Sequence, residues 1–150
     1  MRSNARQVIN KMKKAIEKTM KDAPKVLGLE GQRHFQENFA KQSFEGKRWK
    51  QVQRRTPGTY AYEYPKRKFL SRRTNPILVG RTRRLKNSLN RSFKSGSSSR
   101  MRWEVILPYA QVQNKGNRKI PARSFMRPTQ KFQNRLKKKF GEMLKQNLGR

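Results

Sequence analysis

Apolar residues along this chain recur first at helical and later at alternating spacing. From Asn4 to Lys21, Val8, Ile9, Met12, Ile16 and Met20 return every three or four positions with lysines between them, which predicts an amphipathic helix. Asp22-Ala23-Pro24 is expected to stop or kink it, because proline removes a donor and constrains the residue before it. A second helix is predicted from Pro24 to about Gln42, with Val26, Leu27, Leu29, Phe35 and Phe39 as its apolar side. Gly28 and Gly31 inside it either weaken the helix or let another backbone approach closely.

Ser43 to Pro76 has no clean period. Glu45-Gly46, Pro57-Gly58, Tyr64-Pro65 and Asn75-Pro76 are turn signals, and Trp49, Tyr60, Tyr62, Tyr64 and Phe69 lie among many bases. A loop of this length is expected to be functional or to order only on binding. Ile77-Leu78-Val79 is a short apolar run, and Arg81 to Leu89 reads as a short helix with Leu85 and Leu89 one turn apart. Arg91 to Leu107 reads as a β-hairpin turning at Gly96-Ser97-Ser98-Ser99, with Met101, Trp103, Val105 and Leu107 on one face. Tyr109 to Asn114 is a short helix or turn closed by Gly116, where a positive φ is allowed. Lys119 to Met126 reads as a further strand or an extended arm, since Pro121 cannot donate to a central strand. A last helix runs from Thr129 to Leu148, with Phe132, Leu136, Phe140, Met143, Leu144 and Leu148 as its stripe. The elements amount to an α+β fold of one domain: a helical arm (1–42), a basic extended loop (43–76), a small antiparallel sheet region (77–127) and a C-terminal helix (128–150).

Charge changes this picture. The chain of 150 residues has 40 Lys and Arg against 8 Asp and Glu, a net charge of +32, and only 32% of it is apolar. Residues 1–45 hold ten bases and five acids, whereas 46–150 hold thirty bases and three acids. Self-repulsion at this charge opposes an isolated compact monomer, so polyanions or acidic protein surfaces are the expected partners. Arg54, Arg55, Lys66, Arg67, Lys68, Arg72, Arg73, Arg81, Arg83 and Arg84 are the candidate polyanion-facing residues. Aromatics between bases can stack on nucleobases, although core packing is the alternative for Trp49 and Phe69 and the favoured one for Trp49. Lys137-Lys138-Lys139 reads as the wet face of the last helix. Without cysteine there is no disulfide or thiolate site. No apolar run approaches the roughly 20 residues of a membrane span, and Arg2 and Arg6 precede no apolar run that reads as a secretion signal.

Catalytic chemistry finds little support. His34 and Asp22 are the one histidine and the one aspartate, and the remaining acids are scattered. A Ser-His-Asp triad, a carboxylate dyad or a metal site is not expected, nor is any cofactor. No phosphate loop or dinucleotide fingerprint occurs. His34, beside Phe35 in a helix, reads as an interfacial residue.

Short motifs in order carry more information. Phe44-Glu45-Gly46-Lys47-Arg48-Trp49 follows the long helix; Ile77-Leu78-Val79-Gly80-Arg81-Thr82-Arg83-Arg84-Leu85-Lys86-Asn87-Ser88-Leu89 comes next. Pro108-Tyr109-Ala110-Gln111-Val112-Gln113-Asn114-Lys115-Gly116 and Ile120-Pro121-Ala122-Arg123-Ser124-Phe125-Met126 then precede the last helix. Together they resemble the phage virion morphogenesis family, which includes tail-completion proteins of Mu-like and related phages. The sequence departs from that family in the extra residues between Gly80 and Leu85, and in Ser124 where proline is frequent. The resemblance implies a structural protein of the virion, assembled in the host cytoplasm. It would form a homo-oligomeric ring at the head–tail junction, contacting tail tube and neck or connector, with genomic DNA passing a basic lumen. It makes Trp49, Leu85, Tyr109, Gly116, Pro121, Arg123 and Phe125 the candidate assembly residues. Arg123 and Phe125 are a charged and an apolar anchor on an extended arm, or else a surface charge and ordinary core. The rival expectation, from charge alone, is a nucleic-acid-binding protein of ribosomal or nucleoid type.

Overall fold

Helix-forming residues dominate the first forty positions, and in the computed structural model one helix, α1 (Arg2–Ala40), takes up nearly all of them. The structure describes residues 2–65, 75–79, 82–97 and 100–149. Of the stop or kink expected at Asp22-Ala23-Pro24, the stop does not occur: Pro24 lies inside α1. An interior proline costs a helix about 3 kcal/mol. Burial on both sides of it offsets this cost, since Ala23 and Leu27 pack with Met143, and Val26, Met101, Leu136 and Phe140 lie against the same cluster. Each large apolar side chain buried there contributes roughly 1.5–3 kcal/mol.

The fold is α+β, and the described chain divides into two compact units, each made of separate stretches of sequence. The first unit comprises residues 1–34, 93–104 and 128–150. Strands β3 (Phe93–Gly96) and β4 (Met101–Trp103) form its antiparallel hairpin, with an irregularity between Phe93 and Ser95. The predicted strand to Leu107 stops at Trp103, because β3 starts at Phe93, whose partner is Trp103, and no strand reaches Val105 or Leu107. Residues 98 and 99 of the expected turn lie outside the described residues. Helix α5 (Gln130–Leu148) follows the prediction closely. The Thr129 side chain caps it by accepting from Phe132 N, Gly149 follows it, and Lys137 and Lys138 are exposed.

Two glycines of α1 set how close the hairpin comes. Gly28 lies under the Phe93 ring, and a Cβ on Gly31 would stand 2.5–2.9 Å from the Trp103 indole. The close approach foreseen for these glycines is therefore made by rings, not by backbone. The Trp103 Nε1–H donates to Gly28 O at 2.7 Å, and Gln32 Oε1 accepts from Phe93 N at 3.2 Å. Trp103 also meets Phe132 edge-on at 5.5 Å. His34, read as interfacial, is instead buried within this unit, stacked on Phe132 at 5.2 Å. Arg135 donates to Glu30 Oε1 at 2.6 Å and to His34 Nδ1 at 3.3 Å. Thr19 is fully buried, donating to Ala15 O and accepting from Asn147 Nδ2 at 2.9 Å.

The second unit comprises residues 35–92 and 105–127. Strands β1 (Ser43–Phe44) and β2 (Lys47–Arg48) make a hairpin turning at Glu45-Gly46, both at positive φ (51° and 93°). That is the turn whose twist suits a two-residue loop. A 3-10 turn (Gln53–Arg55) and the short α2 (Tyr60–Glu63) follow. The described part of 43–76 is thus not structureless; the Thr59 hydroxyl donates to Gln53 O at 2.6 Å, and Gly58 N donates to Glu63 Oε1. Ile77-Leu78-Val79 forms a turn, α3 (Arg84–Leu89) buries Leu85 and Leu89, and α4 (Ala110–Lys115) ends at Gly116 with φ 77°.

Glycine substitutions on the two long helices should have opposite signs. Gly31→Ala should lower stability by about 1–3 kcal/mol through overpacking against Trp103, even though alanine favours helix. Gly141→Ala, where a Cβ meets nothing within 4 Å, should instead raise it, by roughly 0.5–1 kcal/mol. Urea unfolding of both variants beside the parent protein checks the pair.

Candidate functional site: the Arg123 cleft

The motifs that the sequence set in order all fall in the second unit, and there they interlock. Phe39 is the hub. Its ring meets Trp49 at 5.5 Å and Phe125 at 5.9 Å, both edge-on, the geometry aromatic pairs prefer. Trp49 donates its indole N–H to Ser124 O at 2.7 Å, so the Trp49 motif and the Ile120–Met126 motif are tied directly. Gln42, at φ 50°, accepts from Trp49 N through its backbone and from Ile77 N through its side chain at 2.8 Å.

The expected strand or arm from Lys119 to Met126 is neither. It folds back on α4 and is held there by asparagine side chains. Asn117 Oδ1 accepts from Lys119 N and Ile120 N, closing a turn after Gly116. Asn114 Oδ1 accepts from Phe125 N at 2.9 Å and Met126 N at 3.1 Å, while its Nδ2 donates to Met126 O at 2.8 Å. A Cβ at Gly116 would lie 2.6 Å from Ala122 N, so this close return needs glycine for space as well as for φ.

The candidate assembly residues therefore need correction. Phe125 is 1% exposed, Leu85 2% and Trp49 7%, all in the core of their own unit, so none is an anchor offered to a neighbour. The physical reason is that Asn114 draws the segment inward, turning the side chain that an extended arm would display. Gly116 and Pro121 shape the return loop, and Pro121 is exposed. Tyr109 is 43% exposed, whereas Ala110 after it is buried.

Arg123 is also buried, at 6% exposure, yet it is a cation. Its Nε donates to Lys50 O at 3.2 Å and its backbone N to Gln113 O at 2.8 Å. Burial lowers its pKa from the ordinary arginine value by desolvation. It lines a cleft of about 350 Å³ together with Arg54, Arg84, Thr82, Gln113 and Tyr109, with Val52, Leu78, Val79 and Leu85 as apolar walls. A second hollow of about 520 Å³ also reaches Arg123 and Arg54, past Lys50, Lys119 and Pro121. Leu78 on the wall stands at φ 63°, a conformation costing a non-glycine residue about 1–2 kcal/mol.

Of the candidate polyanion-facing residues, Arg54 and Arg84 come together at this cleft. Arg55 is half-buried and Arg83 is exposed, and neither lines it. Lys66, Arg67, Lys68, Arg72, Arg73 and Arg81 lie outside the described residues. Sequence reasoning did not find Asn114 or Asn117, because a side chain bonding backbone 2–12 residues away leaves no periodic trace. Among the described residues no group of three or more His, Cys, Asp or Glu could hold a metal ion, and no helix is long and apolar enough to cross a membrane. Compared with protein-family models, curated proteins and solved structures, the chain matches none.

Phe125→Ala should destabilise the protein by about 3–5 kcal/mol, the usual cost of emptying a core phenylalanine site. Asn114→Ala should lose about 1.5–4.5 kcal/mol, from its three backbone hydrogen bonds. Chemical denaturation reads both values; a Phe125→Ala protein as stable as its parent would return that side chain to an outer surface.

Proposed function

We propose that this protein is a non-enzymatic structural component of a phage virion, acting at the head–tail junction to complete the tail and join it to the neck. One observation carries the reading. The four ordered motifs that resemble the virion morphogenesis family meet in a single packed unit: Trp49 bonds Ser124, Asn114 bonds Phe125, and Gln42 accepts from both Trp49 N and Ile77 N.

The surface agrees with an assembly role. Val8, Ile9, Met12, Ile16 and Met20 on α1 are between 39% and 57% exposed, a continuous apolar stripe of the kind that marks interaction surfaces. In this reading the protein acts by geometry, as one subunit of a ring, and needs no cofactor. Its cations, dense after residue 45, suit passing DNA or acidic neighbours.

The same charge supports a second reading, a monomeric nucleic-acid-binding protein. The two separate in one experiment. A phage carrying a nonsense codon in this gene should accumulate filled heads and free tails that do not join. Adding the purified protein to that lysate should restore joined particles under the electron microscope. Joined particles without the protein would overturn the virion reading, and salt-sensitive DNA binding by a monomer would replace it.

A further inference from the structure

We infer that the cleft around Arg123 is a carboxylate-binding site, and that its occupant is a glutamate or aspartate side chain on an apolar segment of a partner protein. This deepens the assembly reading, on which it depends for the existence of a protein partner.

Arginine keeps its proton under all ordinary conditions, so Arg123 is a buried positive charge. A buried charge without a counter-charge is costly. Glu30 pairs with Arg135, Glu104 with Arg102 and Glu142 with Lys139, all away from Arg123. Arg123 has only the Nε bond to Lys50 O and its backbone bond to Gln113 O. Its terminal guanidinium nitrogens, which form the fork that matches a carboxylate, make no bond within the described residues. Arg54 and Arg84 line the same cleft and add cationic side chains to it. Among the described residues no carboxylate bonds Arg123, and a partner's carboxylate would supply the missing anionic charge.

The walls choose between anions. Val52, Leu78, Val79 and Leu85 give the cleft an apolar side. The methylenes of an acidic side chain can lie against that side while its carboxylate reaches the recessed guanidinium. A phosphate in duplex DNA is carried on a broad, hydrated backbone that has no stem to enter a recess. At about 350 Å³ the cleft has room for such a side chain and part of its neighbours.

The probe is a short fluorescent peptide of alternating leucine and glutamate, with a leucine–glutamine peptide and a short DNA duplex as comparisons, in about 0.15 M salt. Arg123→Met should weaken the acidic peptide by ~tenfold or more, as for loss of one partner of a recessed charge pair. Lys137→Met, which removes an exposed charge from α5, should change it by no more than about twofold. Duplex DNA should respond alike to both substitutions. Equal peptide losses in the two variants, or a greater loss for DNA than for peptide, would overturn the site. Since Arg123→Met can also unfold the protein, the parent protein supplies an independent reading. Phenylglyoxal modification mapped by mass spectrometry should show Arg123 protected by the leucine–glutamate peptide and not by the duplex. Absence of protection, or equal protection by DNA, would refute the assignment. A protein that joins heads to tails but leaves Arg123 unprotected would overturn this site and leave the assembly reading standing.

Discussion

Scarcity of carboxylates is the constraint under which everything else in this structure is built. Forty cations share eight acids, so ion pairing cannot hold the fold. Pairs such as Arg102–Glu104 and Lys139–Glu142 lie at the surface, and such pairs contribute little. Neutral amides do the tying instead. Gln32 fixes the start of β3, Gln42 holds Ile77, Asn38 holds Glu45 N, and Asn114 and Asn117 hold the return loop. Amides accept backbone N–H groups without adding charge. Aromatic contacts supply the rest, with Trp103, Phe132 and Phe93 in one unit and Phe39, Trp49 and Phe125 in the other.

How legible each element was depended on the range of the forces behind it. Helix α5 could be read from its stripe, its Thr129 cap and its following glycine, all local features. The Leu85–Leu89 pair and the Gly116 stop were local too. Continuity of α1 through Pro24 was not legible, because the backbone rule there is overruled by Met143 and Phe140, more than a hundred positions away. The length of β4 failed for a related reason: alternation describes one strand, whereas a strand ends where its partner ends.

The cleft was half visible. Composition announced Arg54, Arg84 and Arg123 as cations, and the motif order singled out Arg123 and Phe125 together. What a sequence lacks is the side on which a residue lies. Pro121 suggests an arm that would turn Phe125 and Arg123 outward, core packing of Phe125 is the equal alternative, and the Asn114 amide decides for the core. That outcome buries the phenylalanine as core and leaves the arginine as a recessed cation, so one asparagine decides both fates.

The interleaving of the two units along the chain has a consequence for how the protein is made. The second unit has its last residue at 127, before α5 is synthesised. The first needs α5, because Glu30 waits for Arg135 and Thr19 for Asn147. At ribosomal speeds, α1 emerges roughly ten seconds before the helix that covers it. During that interval Ala15, Thr19, Ala23 and Leu27 are bare beside the stripe from Val8 to Met20. The nascent chain therefore passes through a stage with a longer bare apolar face on this helix than the finished protein has.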